Sequence, residues 1–187
     1  MAFDINGAII QNSNTALSIT TNSKIGLDTS SVGFVTQPNK PAFCAADNYN
    51  NWYSYANAGW QNIVFNTPVF DTCGNYDPST GRFTAPITGL YAFQSSTYSY
   101  KSSTGQDSYV HPIFRINDSY TTKQASQTTP YRLRLRTWFT GGYTGDTQIN
   151  DIFYLVAGDY VNVHHYSSTS PLYWYGTQSY FSGFFIG

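Results

Sequence analysis

An all-β, antiparallel sandwich is the fold class the sequence predicts, and three observations carry it. The chain of 187 residues contains no Glu, while Tyr, Phe and Trp together make 18% of it. It therefore lacks the straight-chain residues that favour helices and is rich in those that fit a pleated surface. Apolar and polar residues alternate over short segments, as in Leu133 and Leu135 between Arg132, Arg134 and Arg136. Turn chemistry separates these segments at close intervals, the mark of a sandwich or barrel of short strands.

The elements follow in order. Residues 1–37 are rich in Asn, Ser and Thr, and their only aromatics are Phe3 and Phe34. Short apolar pieces sit there: Ala8-Ile9-Ile10, Leu17-Ser18-Ile19, Ile25-Gly26-Leu27 and Val32 to Val35. They predict short strands or an extended arm, too apolar-poor to form a packed domain. Pro38 and Pro41 punctuate its end, so the chain divides into an arm at 1–37 and a head at 38–187. Within the head, strands are expected over 42–45, 61–66, 81–85, 90–99, 110–116, 131–139, 147–156, 160–166 and 179–186. Tyr91 and Phe93 share one face of the fourth of these. Asp77-Pro78-Ser79-Thr80-Gly81, Thr88-Gly89 and Ala157-Gly158-Asp159 supply the turns, with Gly81 free to take a positive φ. Phe83, Tyr91, Phe93, Phe181 and Phe184 are the expected core rings, each contributing roughly 1.5–3 kcal/mol when fully buried.

Charge narrows the function. The formal net charge is −1 and only 10% of residues are charged, so no long-range field steers phosphate and nucleic acid is not an expected partner. No run reaches the length of a membrane span, so insertion into a bilayer is not expected. The first ten residues lack a basic region and give no secretory signal. The protein is thus expected to be made in a reducing cytoplasm, with Cys44 and Cys73 as two unbridged thiols.

Catalysis finds no support in the motifs. All ten acidic residues are Asp, scattered and mostly in turn contexts, which suits turn capping better than paired acid–base work. Neither a nucleophile elbow, a zinc-binding His pair nor a phosphate loop occurs. His164 and His165 are adjacent on an expected strand, so their side chains point to opposite faces and cannot share one metal within a chain. Joining His111 across a three-fold axis is the remaining route to a metal site. No metal, cofactor or enzyme activity is expected.

Two aromatic clusters suggest binding. Tyr49 to Tyr55 with Trp60 forms one, and Leu172 to Tyr175 the other, both expected in loops or strand ends. Trp52, Tyr53, Tyr55, Trp60, Tyr173, Trp174 and Tyr175 are the candidate ligand residues. Flat rings beside amides and hydroxyls suit sugar rings, which present C–H on one face and hydroxyls at the rim. The same rings could instead plug the ends of the barrel or a subunit seam. The Arg132, Arg134 and Arg136 stripe is either a solvated face or a dock for an acidic neighbour or anionic glycan.

Four blocks resemble the globular head of complement component C1q. They are Pro41-Ala42-Phe43-Cys44-Ala45, the stretch GNYDPSTGRFTAPITGLYAF from Gly74 to Phe93, Ala157 to Val163, and Ser179 to Ile186. The resemblance implies a ten-stranded jelly roll, related to tumour necrosis factor, that assembles as a tight homotrimer. Some members hold calcium near the trimer apex, but no residue here matches that site. Members with collagen-like repeats before the head differ from this chain, which has the polar arm instead. An arm ending in Thr36-Gln-Pro-Asn-Lys-Pro-Ala-Phe43 before such a head resembles bacteriophage structural proteins, among them fibre tips and capsid decorations. The expectation is therefore a non-enzymatic virion protein: a trimeric capsid decoration, with glycan adhesion on its outer loops. A tail-fibre tip or a surface glycan-binding module is the alternative. Ile9, Ile10, Leu17, Ile19, Ile25 and Leu27 would attach the arm to a capsid or other virion protein by adding strands to its sheet edge, with Arg132, Arg134 and Arg136 as further contacts.

Overall fold

Strand pairing accounts for nearly all the regular structure. The computed structural model describes residues 3–5, 8–10, 28–29, 35–36, 40–48, 52–55, 59–101, 108–119, 137–139, 144–168 and 172–187. Among them there is no helix, and so none long and apolar enough to cross a membrane. The chain separates into two compact units, Met1–Lys40 and Pro41–Gly187, a boundary three residues beyond the composition shift.

The first unit contains two antiparallel pairs: β1 (Phe3–Ile5) with β2 (Ala8–Ile10), and β3 (Asp28–Thr29) with β4 (Val35–Thr36). Ile9 and Ile10 therefore belong to β2, where Ile9 pairs with Asp4 and Ile10 with Phe3. Leu17, Ile19, Ile25 and Leu27 lie outside the described residues.

The second unit is the sandwich. One sheet runs β14 (Thr144–Leu155), β11 (Gly89–Lys101), β16 (Leu172–Phe185), β5 (Ala42–Ala46) and β8 (Thr67–Asp71), with β6 (Trp52–Ser54) paired to the first part of β16. The other runs β13 (Thr137–Phe139), β12 (Ser108–Ile116), β15 (Tyr160–Ser167), β10 (Arg82–Thr84) and β9 (Tyr76–Asp77), with β7 (Gly59–Ile63) alongside β15. All pairings are antiparallel, as the turn-rich sequence predicts.

In this unit three strands escape the sequence reading: β6, β8 and β9. Pro68 argues against a strand, yet it is admitted because β8 ends the order of its sheet, where a missing donor leaves no ladder broken. The last strand begins seven residues earlier than expected. Its register against β11 breaks between Ser96 and Tyr98, where Gly176 to Ser179 are taken up. The Ser179 hydroxyl closes this irregularity, donating to the Tyr175 carbonyl (2.6 Å) and accepting from the Tyr98 amide (3.1 Å).

Phe43 and Phe93 centre the core. Phe43 stacks on Phe83 at 4.8 Å and Tyr76 at 4.9 Å, and meets Phe181 edge-on at 4.9 Å. Phe93 touches Phe83, Tyr91, Phe114, Phe153 and Phe181. Phe184, expected among the core rings, is instead half-exposed. Strand parity is the reason: Phe181, Gly183 and Phe185 point inward, which turns Phe184 out.

Turn and glycine chemistry complete the fold. Asp77 accepts from the Ser79 amide and hydroxyl and the Thr80 hydroxyl, and Gly81 takes φ +71° as its turn requires. A Cβ on Gly183 would sit 2.4 Å from Cδ1 of Phe93 and 3.0 Å from Cε1 of Phe43. Both rings are fully packed, so neither can retreat. Gly183→Ala should lower stability by about 1–3 kcal/mol through overpacking, read as a fall in melting temperature with secondary structure retained.

Candidate functional site

Several described aspartates act as hydrogen-bond acceptors at turns and strand ends. Asp71 takes the Tyr76 amide (2.8 Å), Asp159 the Val156 amide (2.8 Å), and Asp118 pairs with Arg82 at 2.5 Å. Hydrogen bonds from Tyr160 and Asn162, with the Arg82 charge, hold the Asp118 carboxyl below its ordinary range against the effect of burial. Among the described residues no three His, Cys, Asp or Glu side chains group to hold a metal. Cys44 and Cys73 are both thiols, not joined to each other, and partial burial raises the Cys44 thiol.

The informative surface is the outward face of the β14-β11-β16-β5-β8 sheet. Register lays its side chains in rows. Tyr154 pairs with Leu90, and the Ile186 amide donates to the Leu90 carbonyl at 2.7 Å. The next row runs Ile152, Ala92, Phe184 and Ala42. A polar row follows, Asn150, Gln94 and Ser182, leading through Cys44 to Phe70. Gln94 also donates to the Tyr180 hydroxyl. Beyond it Tyr98, Tyr175 and Trp52 align, with Trp52 4.7 Å from Tyr175, 5.8 Å from Tyr98 and 5.4 Å from Tyr100. Tyr154, Leu90, Ile186, Ile152, Phe184 and Phe70 are all exposed, Phe184 to 53%. One face thus has an aliphatic and aromatic end, an amide and hydroxyl waist and a Trp–Tyr end. Isolated exposed apolar residues need no explanation, but a set spread over β14, β11, β16 and β8 is larger than ordinary scatter.

The structure disperses the sequence-predicted ligand residues. Trp52 and Tyr175 lie on this outward face, with Tyr173 two residues along the same strand. Tyr55 and Trp174 are buried between the sheets, and half-buried Tyr53 stacks on Trp174 at 4.6 Å. Tyr55 and Trp174 are therefore core residues: each falls on the inward parity of a strand or its end. The two clusters meet through Trp52 and Tyr175, whereas Trp60 belongs to β7 on the other sheet. Arg132, Arg134 and Arg136 lie outside the described residues.

Sequence reasoning missed Leu90, Ile152, Tyr154, Phe70, Tyr98 and Tyr100. A signal was present: Ile152-Phe153-Tyr154-Leu155 and Phe184-Phe185-Ile186 are unbroken apolar runs. A strand apolar at consecutive positions is covered on both faces.

Between the sheets the aromatic core gives way to polar groups. The Tyr55 hydroxyl lies 2.8 Å from Nδ1 of His165 and 3.2 Å from the Ser99 hydroxyl, and Thr97 reaches Nε2 at 3.4 Å. Lys101 donates to Ser108 at 2.7 Å. Burial, reinforced by the other two histidines, pushes His165 down to about 3. Burial and the Arg115 charge push His164 down to about 4. Both rings are neutral in the folded protein at ordinary pH, whereas the unfolded chain takes up protons below 6.5. The unfolded state then binds more protons, so stability present above 6.5 is lost as pH falls towards 4 and then 3. Melting temperature should fall across that window, and more shallowly in His165→Gln than in the wild type.

Two packed antiparallel sheets around an aromatic centre define a jelly-roll module. The chain belongs to the C1q domain family, whose model matches residues 42–186. Among solved structures it is similar to the globular domain of zebrafish complement 1qA protein, at 20% identity and a TM-score of 0.51, covering 79% of this chain and 98% of that one. It is also similar to murine APRIL, at 12% identity and a TM-score of 0.52, with 79% and 99% covered. The Eiger TNF of S. frugiperda gives 11% identity and a TM-score of 0.53, with 80% and 94% covered. These likenesses establish the fold. No curated protein sequence matches the chain.

Proposed function

We propose that this protein is a non-enzymatic structural module that assembles as a homotrimer and decorates a virion capsid, with its N-terminal segment as the attachment device. The observation that carries the trimer is the continuous exposed apolar set on the β14-β11-β16-β5-β8 face. Three copies related by a closed axis would bury that face without leaving a free edge for further growth. The polar waist of Asn150, Gln94 and Ser182 would then fix the vertical register of the copies, because a slip would bury amides against aliphatic groups.

The capsid reading draws support from the first unit. Its strand pairs are two or three residues long, too short to stand alone in water. Short strands suit backbone pairing with a neighbour's sheet edge, which repays the entropy of ordering them. A near-neutral surface rich in hydroxyls and amides lets copies pack closely on a particle without mutual repulsion.

Two measurements test the two halves separately. By sedimentation at micromolar concentration the wild type should run as a trimer and Phe184→Asp as a folded monomer. A stable wild-type monomer would sink the assembly claim. Replacing Ile9 and Ile10 together with Asp should abolish incorporation into particles and leave the head's melting temperature unchanged. If the double variant still incorporates, the attachment claim is wrong.

A further inference from the structure

β14 ends its sheet, and its ladder to β11 runs without a break from Thr144 to Leu155. Among the described residues no strand pairs with its other side, so a row of backbone groups lies open there. Such an edge is a template for another strand. The run Ile152-Phe153-Tyr154-Leu155-Val156 strengthens it, being five residues of high strand preference with no charge, Pro or Gly. The opposite edge of the same sheet, β8, carries Pro68 and a register irregularity opposite Cys44 and Ala45, and both spoil it for pairing. β14 has neither device.

One charge interrupts the strand instead. Thr147, Ile149, Phe153 and Leu155 are buried on the inward parity of β14, whereas Asp151, which shares that parity, is exposed. Its carboxylate accepts from the Ile152 amide at 2.8 Å. An amide with that partner points away from β11 and towards the free side, so the Asp151 carboxylate lies along the edge itself. Side chains also take the edge groups further along. The Asp146 carbonyl accepts from the Thr137 hydroxyl at 3.2 Å, and the Val156 amide donates to Asp159 at 2.8 Å. The open length is what lies between Asp146 and Val156, and Asp151 stands at its middle.

We propose that Asp151 guards this edge, keeping β14 from pairing with β14 of a second copy and leaving copies to meet through other surfaces. An incoming strand has to strip water from the carboxylate and displace it from the Ile152 amide, and a charge buried without a partner is costly. Self-pairing meets a second penalty. An antiparallel pair about a two-fold axis through the middle of the open length brings the two Asp151 carboxylates together, and like charges directly opposite are destabilising. The apolar neighbours favour the very pairing that the charge opposes, which is why a charge is needed at this place and not elsewhere on the strand. The edge is distinct from the outward face, so this inference goes beyond the trimer and does not depend on it.

The test is sedimentation of the full chain carrying Phe184→Asp, so that the outward face does not contribute. Adding Asp151→Val or Asp151→Thr should each raise the mass at micromolar concentration about twofold, the product of a closed two-fold pair. Melting temperature should be no lower than the parent's. Asp151→Lys, which restores a charge at the same place, should sediment as the parent does. The proposal is overturned if either Asp151→Val or Asp151→Thr leaves the mass unchanged, or if Asp151→Lys raises it as they do. It is also overturned if the rise comes with a lowered melting temperature, which traces it to unfolding. Whether the wild type runs as a trimer or a monomer bears on the assembly reading alone.

Discussion

The contact of the Phe43 and Phe93 rings over Gly183 is the constraint on which the rest of the head depends. Phe43 comes from the first strand of the sandwich, Phe93 from its longest central pair, and Gly183 from its last strand. Only a residue without a side chain lets both rings lie on β16, because a Cβ would penetrate the Phe93 ring. With the rings seated, Phe83 and Tyr76 stack on Phe43 and tie the second sheet to the first. The two ends of the head sequence are thus joined at its centre, and local contacts alone cannot reach that arrangement.

That seating also decides what the outer surface is. Strand parity leaves no choice: once Phe181, Gly183 and Phe185 face inward, Ser182 and Phe184 face out. Along β11 the same rule puts Tyr91 and Phe93 in and Leu90 and Gln94 out. The face proposed for assembly is therefore the other side of the core, cut from the same strands. A substitution that shifted register by one residue would exchange the two, destroying fold and assembly together.

The interior itself is divided. Rings fill one part, while Tyr55, Thr97, Ser99 and His165 form a hydrogen-bonded set in another, and Lys101 meets Ser108. Neutral histidine suits this place because one nitrogen can accept and the other donate, so the ring of β15 meets hydroxyls of the opposite sheet without bringing a charge into the core. Asp77 and Asp159 serve the turns, where their carboxylates accept from backbone amides. The scarcity of charge in the sequence and the dense packing of this sandwich have one cause: few positions remain where a charge is inexpensive.

Much of this was legible in the sequence. Composition and alternation determined an all-β chain. The turn at Asp77 to Gly81 declared itself, and Tyr91, Phe93, Phe83 and Phe181 were identifiable as core, because these properties are local and strand parity is a short-range rule. The four C1q-like blocks added the topology. Tertiary structure alone decided which aromatic residues outside those blocks point inward. Tyr55 and Trp174 read like Trp52 and Tyr175 in sequence, yet the first two are buried and the others face out. A register irregularity at Gly176 to Ser179 sets that parity, and no nearby sequence pattern fixes it. The place of Asp151 was equally hidden, because only strand order makes β14 an edge. Which residues become neighbours across a sheet depends on strand order, and strand order is settled only when the whole core closes.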